Sequence, residues 1–250
     1  MSASNRNMNK TLFLVAILIS FSSGSMSQTT SAPKTAPTVK TAPAAEPGPS
    51  DLAAAAVLAH GGSKFTSMKS FVVRGSMDVT VSAQTIPASF AIIISGDRYV
   101  FELNNPFQPI KQIYDGNSTY STGYELPPIT SLGFPLLAKV GQAGYVVSAP
   151  ANPKKRRGFR VTTPDGFYTE FFINEKTGQI KSYESSYDVN GRIVTTSVEI
   201  DELQVVEGVS VPTKYSQRFD LGQVTAYAAF KTKELTINTP LPDSTFALPK

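Results

Sequence analysis

Between Phe71 and Asn238 the chain is cut into short alternating runs by five dipeptides that end in glycine: Asp115-Gly116, Asp165-Gly166, Asn190-Gly191, Glu207-Gly208 and Leu221-Gly222. Such pairs supply the positive φ that tight hairpin turns require, so neighbouring runs fold back antiparallel. The spacing predicts strands at Phe71–Ser82, Pro87–Ser95, Asp97–Asn104, Gln108–Asp115, Ser118–Thr122, Gly144–Ser148, Gly158–Thr163, Phe167–Asn174, Ile180–Asp188, Arg192–Val206, Val211–Asp220, Val224–Lys231 and Glu234–Asn238. A meander of about ten to twelve strands in sequence order curls into a barrel or half-barrel. The expected class is therefore mainly β (α+β).

Side chains on a strand alternate between its faces. Val73, Met77 and Val79 fall on one side of the first run, and Arg74, Asp78 and Thr80 on the other. Phe90, Ile92 and Ile94 share a face, as do Tyr99, Phe101 and Leu103; later come Phe171 with Phe167, Tyr183 with Tyr187, and Tyr215 with Phe219. Two readings stand. These rings fill an ordinary core, or they line an oily hollow. The stretch LPPITSLGFPLLAKV (126–140) bears on the choice. It is apolar, yet Gly133 and Pro135 keep it from forming one long helix. It is expected as one or two short helical turns lying across the mouth of the sheet, with Leu132, Phe134, Leu136, Leu137 and Val140 as a movable lid.

The first 27 residues read as an export signal: Arg6 and Lys10, an apolar core at Thr11–Phe21, and a Ser25-Met26-Ser27 cleavage site, with Met8 an alternative start. Residues 28–50, rich in Pro, Ala and Thr, are expected to be a disordered tether, and 51–250 the folded domain. Asp51–Ala59 is the one convincing helix, capped by Ser50 or Asp51 and stopped by His60-Gly61-Gly62, with Val57, Leu58 and Leu52 toward the sheet. A second turn over Lys64–Lys69 carries Phe65 and Met68 inward. The sole histidine, His60, has no visible catalytic partner and is read as structural.

Cysteine is absent, which excludes disulfides, thiol catalysis and a lipidated cysteine. With one histidine and no Gly-x-Ser-x-Gly, phosphate-loop or His-Glu-x-x-His motif, no enzyme, metal or cofactor is expected. Glu170, Glu184 and Glu199 read as solvated outer-face carboxylates. Removing Met1–Ser27 takes Arg6 and Lys10 but no acid, so the formal charge falls from +4 to +2 and a nucleic-acid partner is not indicated. The conspicuous cluster Lys154-Lys155-Arg156-Arg157 is either a solvated hairpin tip or a contact with anionic lipid heads.

The stretches LAHGGSKFTSMKSFVVRG (58–75), SGDRYVFELNNPFQPIKQIYDGNSTY (95–120) and GVSVPTKYSQRF…FKTKELTINTPLPDSTFALP (208–249) resemble the LolA/LolB superfamily of periplasmic lipoprotein-localisation factors and related envelope lipid-binding proteins. The shared signals are Arg98, Tyr99, Phe101, Pro106, Asp115-Gly116 and Tyr120, then Asn238, Pro240, Pro242, Asp243, Ser244 and Phe246. The resemblance implies an unclosed, bent antiparallel half-barrel with a helical lid and an apolar cavity for acyl chains. Without a lipidated cysteine, the chain looks like the soluble carrier branch. That branch carries a lid-contacting arginine where Ser95 stands here, with Arg98 three residues on. The expectation is a monomeric periplasmic carrier or binder of lipoprotein acyl chains or lipid, making transient contact with membrane or envelope transport proteins. The alternative is an envelope sensor or scaffold that binds a lipoprotein or protein partner.

Overall fold

Strand pairing follows the chain with one exception, and that exception builds the fold. The strands are β1 (Ser70–Val81), β2 (Gln84–Ser95), β3 (Arg98–Asn104), β4 (Ile110–Tyr114), β5 (Thr119–Thr122), β6 (Val146–Ser148), β7 (Gly158–Thr162), β8 (Tyr168–Ile173), β9 (Ile180–Val189), β10 (Arg192–Val206), β11 (Val209–Asp220) and β12 (Thr225–Ile237). They form one antiparallel sheet in the order β5-β4-β3-β2-β1-β12-β11-β10-β9-β8-β7-β6. Two meanders are thus fused where β12 returns to pair with β1. The free edges, β5 and β6, are consecutive in sequence, and the apolar 126–140 stretch runs between them. The sheet stays unclosed. This computed structural model describes residues 46–107, 109–122, 126–153, 156–189, 191–220 and 224–249. The export signal and residues 28–45 lie outside the described residues.

Bulges at Arg74/Gly75, Phe172/Ile173 and Ile200/Glu202 interrupt the ladders, and each adds local bend and twist. The first explains a departure from the sequence reading. Val224–Lys231 and Glu234–Asn238 are one strand, β12, with Lys233 as the extra residue opposite Arg74/Gly75. Only glycine fits across from it, because a Cβ at Gly75 would stand 2.2 Å from the Lys231 carbonyl oxygen. The β1–β2 hairpin also turns without glycine: Ser82 (φ +47°) and Ala83 (φ +67°) both take the left-handed conformation of a primed turn, so β2 starts at Gln84.

Three helices are described: α1 (Pro49–Ala59), α2 (Ser63–Thr66) and α3 (Gly133–Leu137). α1 begins two residues early, since proline suits the first turn and Asp51 reaches back to accept from the Gly48 N–H at 3.0 Å. The face it buries is Leu52, Ala53 and Ala56; Leu58, expected inside, is 74% exposed. The alanines let the helix backbone approach closely: a Cβ added at Gly178 would stand 3.5 Å from the Ala59 Cβ and 3.6 Å from the Ala55 carbonyl oxygen.

The outer face of the sheet is not all solvated. Val72, Ile93, Val100 and Ile113 form a second core there, covered by the C-terminal tail through Leu241, Phe246 and Leu248. Arg98 pins that tail, pairing with Asp243 at 2.7 Å and lying 4.6 Å above the Phe246 ring.

Candidate functional site

Cross-strand partners in an antiparallel sheet point to the same face, so the register traces the concave side directly. One row runs Tyr215, Phe230, Met77, Ala88; the next runs Gln217, Ala228, Val79, Ile86; a third carries Leu235, Val73, Ile92, Phe101, Gln112. By the same register Phe90 and Leu103, Ile94 and Tyr99, and Phe219 and Phe171 lie on this face. The sequence-predicted lining residues therefore share one surface, but they fall into two environments.

At one end a helical layer fills the concavity. Leu136 and Leu137 are 0% exposed, and with Phe134 they pack against Phe65, Phe159 and Phe171 in a single core that includes Leu52, Ala53 and Ala56 of α1. Leu132 precedes α3, and Val140 packs against the same core. Polar bonds tie this cover to both meanders. The buried Gln112 amide accepts from the Leu126 N–H at 3.2 Å and donates to the Leu126 carbonyl at 2.9 Å. The Gly133 N–H donates to Thr169 Oγ1 at 2.9 Å, which meets Ser185 Oγ at 2.8 Å. The Tyr183 phenol, pushed up by burial, accepts from the Phe134 N–H. Lys139 pairs with Asp97 in the β2–β3 turn at 3.3 Å. Arg98 serves the tail on the opposite face, so it is not the lid contact.

His60 locks α1 to the sheet. Its Nε2 accepts from the Ile180 N–H at 3.0 Å, which leaves the Nδ1 proton for the Ser210 carbonyl at 2.6 Å. Burial lowers its pKa below the usual imidazole range, against a smaller opposing effect from the Ser210 bond. The ring is neutral and walled by Phe65 and Phe134.

The space left under the cover is about 100 Å³, lined by Phe65, Met68, Phe71, Ile94, Phe134 and Lys139 among others. Cavities that take small-molecule ligands run to several hundred Å³. The expected empty chamber beneath the lid is thus filled by the lid itself: the apolar residues of 132–140 and the rings facing them mesh into core.

At the other end no helix among the described residues covers the face. Val73, Met77, Phe90 and Ala228 are buried, while Val79, Ile92, Leu103, Phe219, Phe230 and Leu235 pack around them partly buried. Phe101 and Tyr215 are partly buried beside them. Tyr215 stacks on Phe230 at 4.5 Å and Phe90 meets Phe230 edge-on at 5.1 Å. The result is an open apolar trough, not a sealed hollow. Phe230 and Leu235 were not singled out in the sequence, although the alternation of Ala226, Ala228 and Phe230 carries the signal.

The basic cluster is spread over outer-face partners. Arg156 pairs with Glu184 and lies 3.8 Å above Phe172, Arg157 sits 3.8 Å from Glu175, and Arg160 pairs with Glu170. Lys154 and Lys155 lie outside the described residues. Glu170 and Glu184 are direct cross-strand neighbours, so these arginines offset a like-charge contact. Among the described residues no histidine, cysteine or carboxylate group is arranged to hold a metal ion, and no helix is long and apolar enough to cross a membrane.

No family model and no curated protein matches the chain. Solved structures do. It is similar to a LolA superfamily protein from Nitrosomonas europaea (12% identity, 80% of this chain and 98% of that one, TM-score 0.50). A DUF1329 family protein from Desulfovibrio piger (11%, 79% and 95%, 0.48) and a domain from Vibrio parahaemolyticus named for outer membrane lipoprotein sorting (10%, 71% and 88%, 0.42) also match. The class defined by the twelve-stranded unclosed sheet and its short helical cover is the LolA-like fold.

Proposed function

We propose that this protein is an exported, monomeric binder and carrier of acyl chains, of lipoprotein or lipid origin, that works in the periplasm without covalent chemistry and without a nucleic-acid partner. The observation that supports this reading is the uncovered apolar trough around Met77, Phe90, Ile92, Phe219 and Phe230. Contiguous apolar surface left in water marks an interaction site. The fold it shares with a LolA superfamily protein agrees with that use.

The energetics favour a carrier over a sink. Full burial of a chain of about fourteen carbons is worth on the order of 10 kcal/mol. A trough open on one side covers only part of the chain, and ordering the chain opposes binding. A net of about half that value holds cargo and still permits release. Displacement of a fluorescent acyl probe tests the reading. Wild type binds the probe, and the double substitution Phe101→Asp with Phe219→Asp weakens binding at least tenfold while the far-ultraviolet spectrum is kept. Equal affinity in the double variant would reject the trough as the site.

A further inference from the structure

The trough has two chemically different flanks. From β12 to β3 its surface is hydrocarbon: Phe230, Met77, Val79, Phe90, Ile92 and Leu103. On the β11 side a short polar line crosses successive rows, with Gln217 beside Ala228, Tyr215 beside Phe230, and Thr232 opposite Gly75. Hydrogen bonds from the Tyr215 hydroxyl or the Gln217 amide to another described residue are absent. Thr232 Oγ1 is the one buried side-chain polar atom without a partner among the described residues; the Tyr215 hydroxyl and the Gln217 amide each keep a little accessible surface, the Tyr215 phenol in an otherwise enclosed position. All three are uncharged. Burial and the neighbouring Tyr183 raise the Tyr215 phenol well above its usual range, which keeps it a neutral donor.

Charge is held away from this line. Among the described strand residues with a cross-strand partner, Arg192 is the only charged side chain at a concave position. It sits at the tip of the β9–β10 hairpin, six residues along β10 from Val198, the partner of Gln217. At about 3.4 Å per residue that is roughly 20 Å along the strand. The unpaired bulge residues Lys181, Asp201 and Lys233 are exposed. A carboxylate or phosphate brought to Tyr215 would lose water and gain no cation there, whereas an ester or amide needs only the hydrogen bonds this line offers.

We propose that the trough selects an acyl chain joined to an uncharged ester or amide group, with the linkage on Gln217 and Tyr215 and the hydrocarbon crossing from β11 toward β3. That crossing is four inter-strand spacings, about 19 Å. The inference rests on the acyl-binding reading above and narrows it to a headgroup class.

The test is a competition series at matched chain length, below micelle concentration: monomyristoylglycerol, myristate and myristoyl lysophosphatidylglycerol at pH 8.5. The neutral ester binds at least tenfold more tightly than either anion, and myristate gains affinity as pH falls while the ester does not. Tyr215→Phe combined with Gln217→Leu weakens the ester about tenfold and brings it close to myristate; Arg192→Gln leaves the ester unchanged. Anions that bind as well as the ester, or an ester indifferent to the double variant, overturn the headgroup assignment while acyl binding stands. Failure of every probe to bind folded wild type overturns both.

Discussion

Replacing His60 with leucine tests how the helical layer is held. The imidazole is 0% exposed and carries two bonds, from the Ile180 N–H and to the Ser210 carbonyl. Leucine fills similar space but leaves both backbone groups buried without partners, at about 1–3 kcal/mol each. A loss of about 4 kcal/mol is expected, a large part of the ~5–15 kcal/mol typical of a domain. With a urea m value of about 3 kcal/mol per M, the unfolding midpoint falls by about 1.3 M. The same residue sets a pH dependence. Its folded pKa is lowered, so the unfolded chain takes up the proton first. The neutral ring's contribution is complete above the unfolded pKa of about 6.5. It is lost at about 1.4 kcal/mol per pH unit as pH falls below that value, until the folded pKa is reached. No other histidine shares the window. Urea melts at pH 7.5, 6.5 and 5.5 on wild type and His60→Leu provide the assay. A midpoint shift under about 0.3 M, or a wild type equally stable at pH 7.5 and 5.5, would refute the assigned bonding.

Gly133→Ala, at φ +58° with its new Cβ 2.9 Å from the Tyr183 ring, should lower the melting temperature by about 4 °C through local strain at the start of α3, measured by calorimetry. Thr169→Val removes the acceptor for the Gly133 N–H, so hydrogen exchange at that amide should speed up by tenfold or more while exchange in β1 is unchanged. Phe246→Ala should cost about 3–5 kcal/mol by emptying the outer core. Arg98→Ala, which frees Asp243 and uncovers the Phe246 ring, should cost about 1 kcal/mol and expose the tail to limited proteolysis.

Hairpin chemistry and period-two alternation made the strand meander and the concave face legible, because Asp-Gly and Asn-Gly turns write register into the sequence locally. Three features escaped for physical reasons. The Ser82-Ala83 turn takes positive φ without a glycine to announce it. The outer core is signalled by runs such as Phe71-Val72-Val73 and Ile92-Ile93-Ile94, apolar on both faces; two-sided burial erases alternation, and only the returning tail reveals what covers the second face. The lid's apolar pattern is the same whether it roofs a void or fills one. Volume decides that, and the approximately 100 Å³ beneath α3 is a tertiary property. His60, read as structural beside its glycines, is indeed a buried bonding post, though its partners lie 120 and 150 residues away.

The most direct test is methyl NMR on protein labelled at isoleucine, methionine and valine, titrated with a short-chain monoacylglycerol. The account predicts shifts at Met77, Val79 and Ile92 in the uncovered trough, with Ile180, Val209 and Val211 under the helical layer unmoved. Shifts confined to the covered set, or none in either, would contradict it.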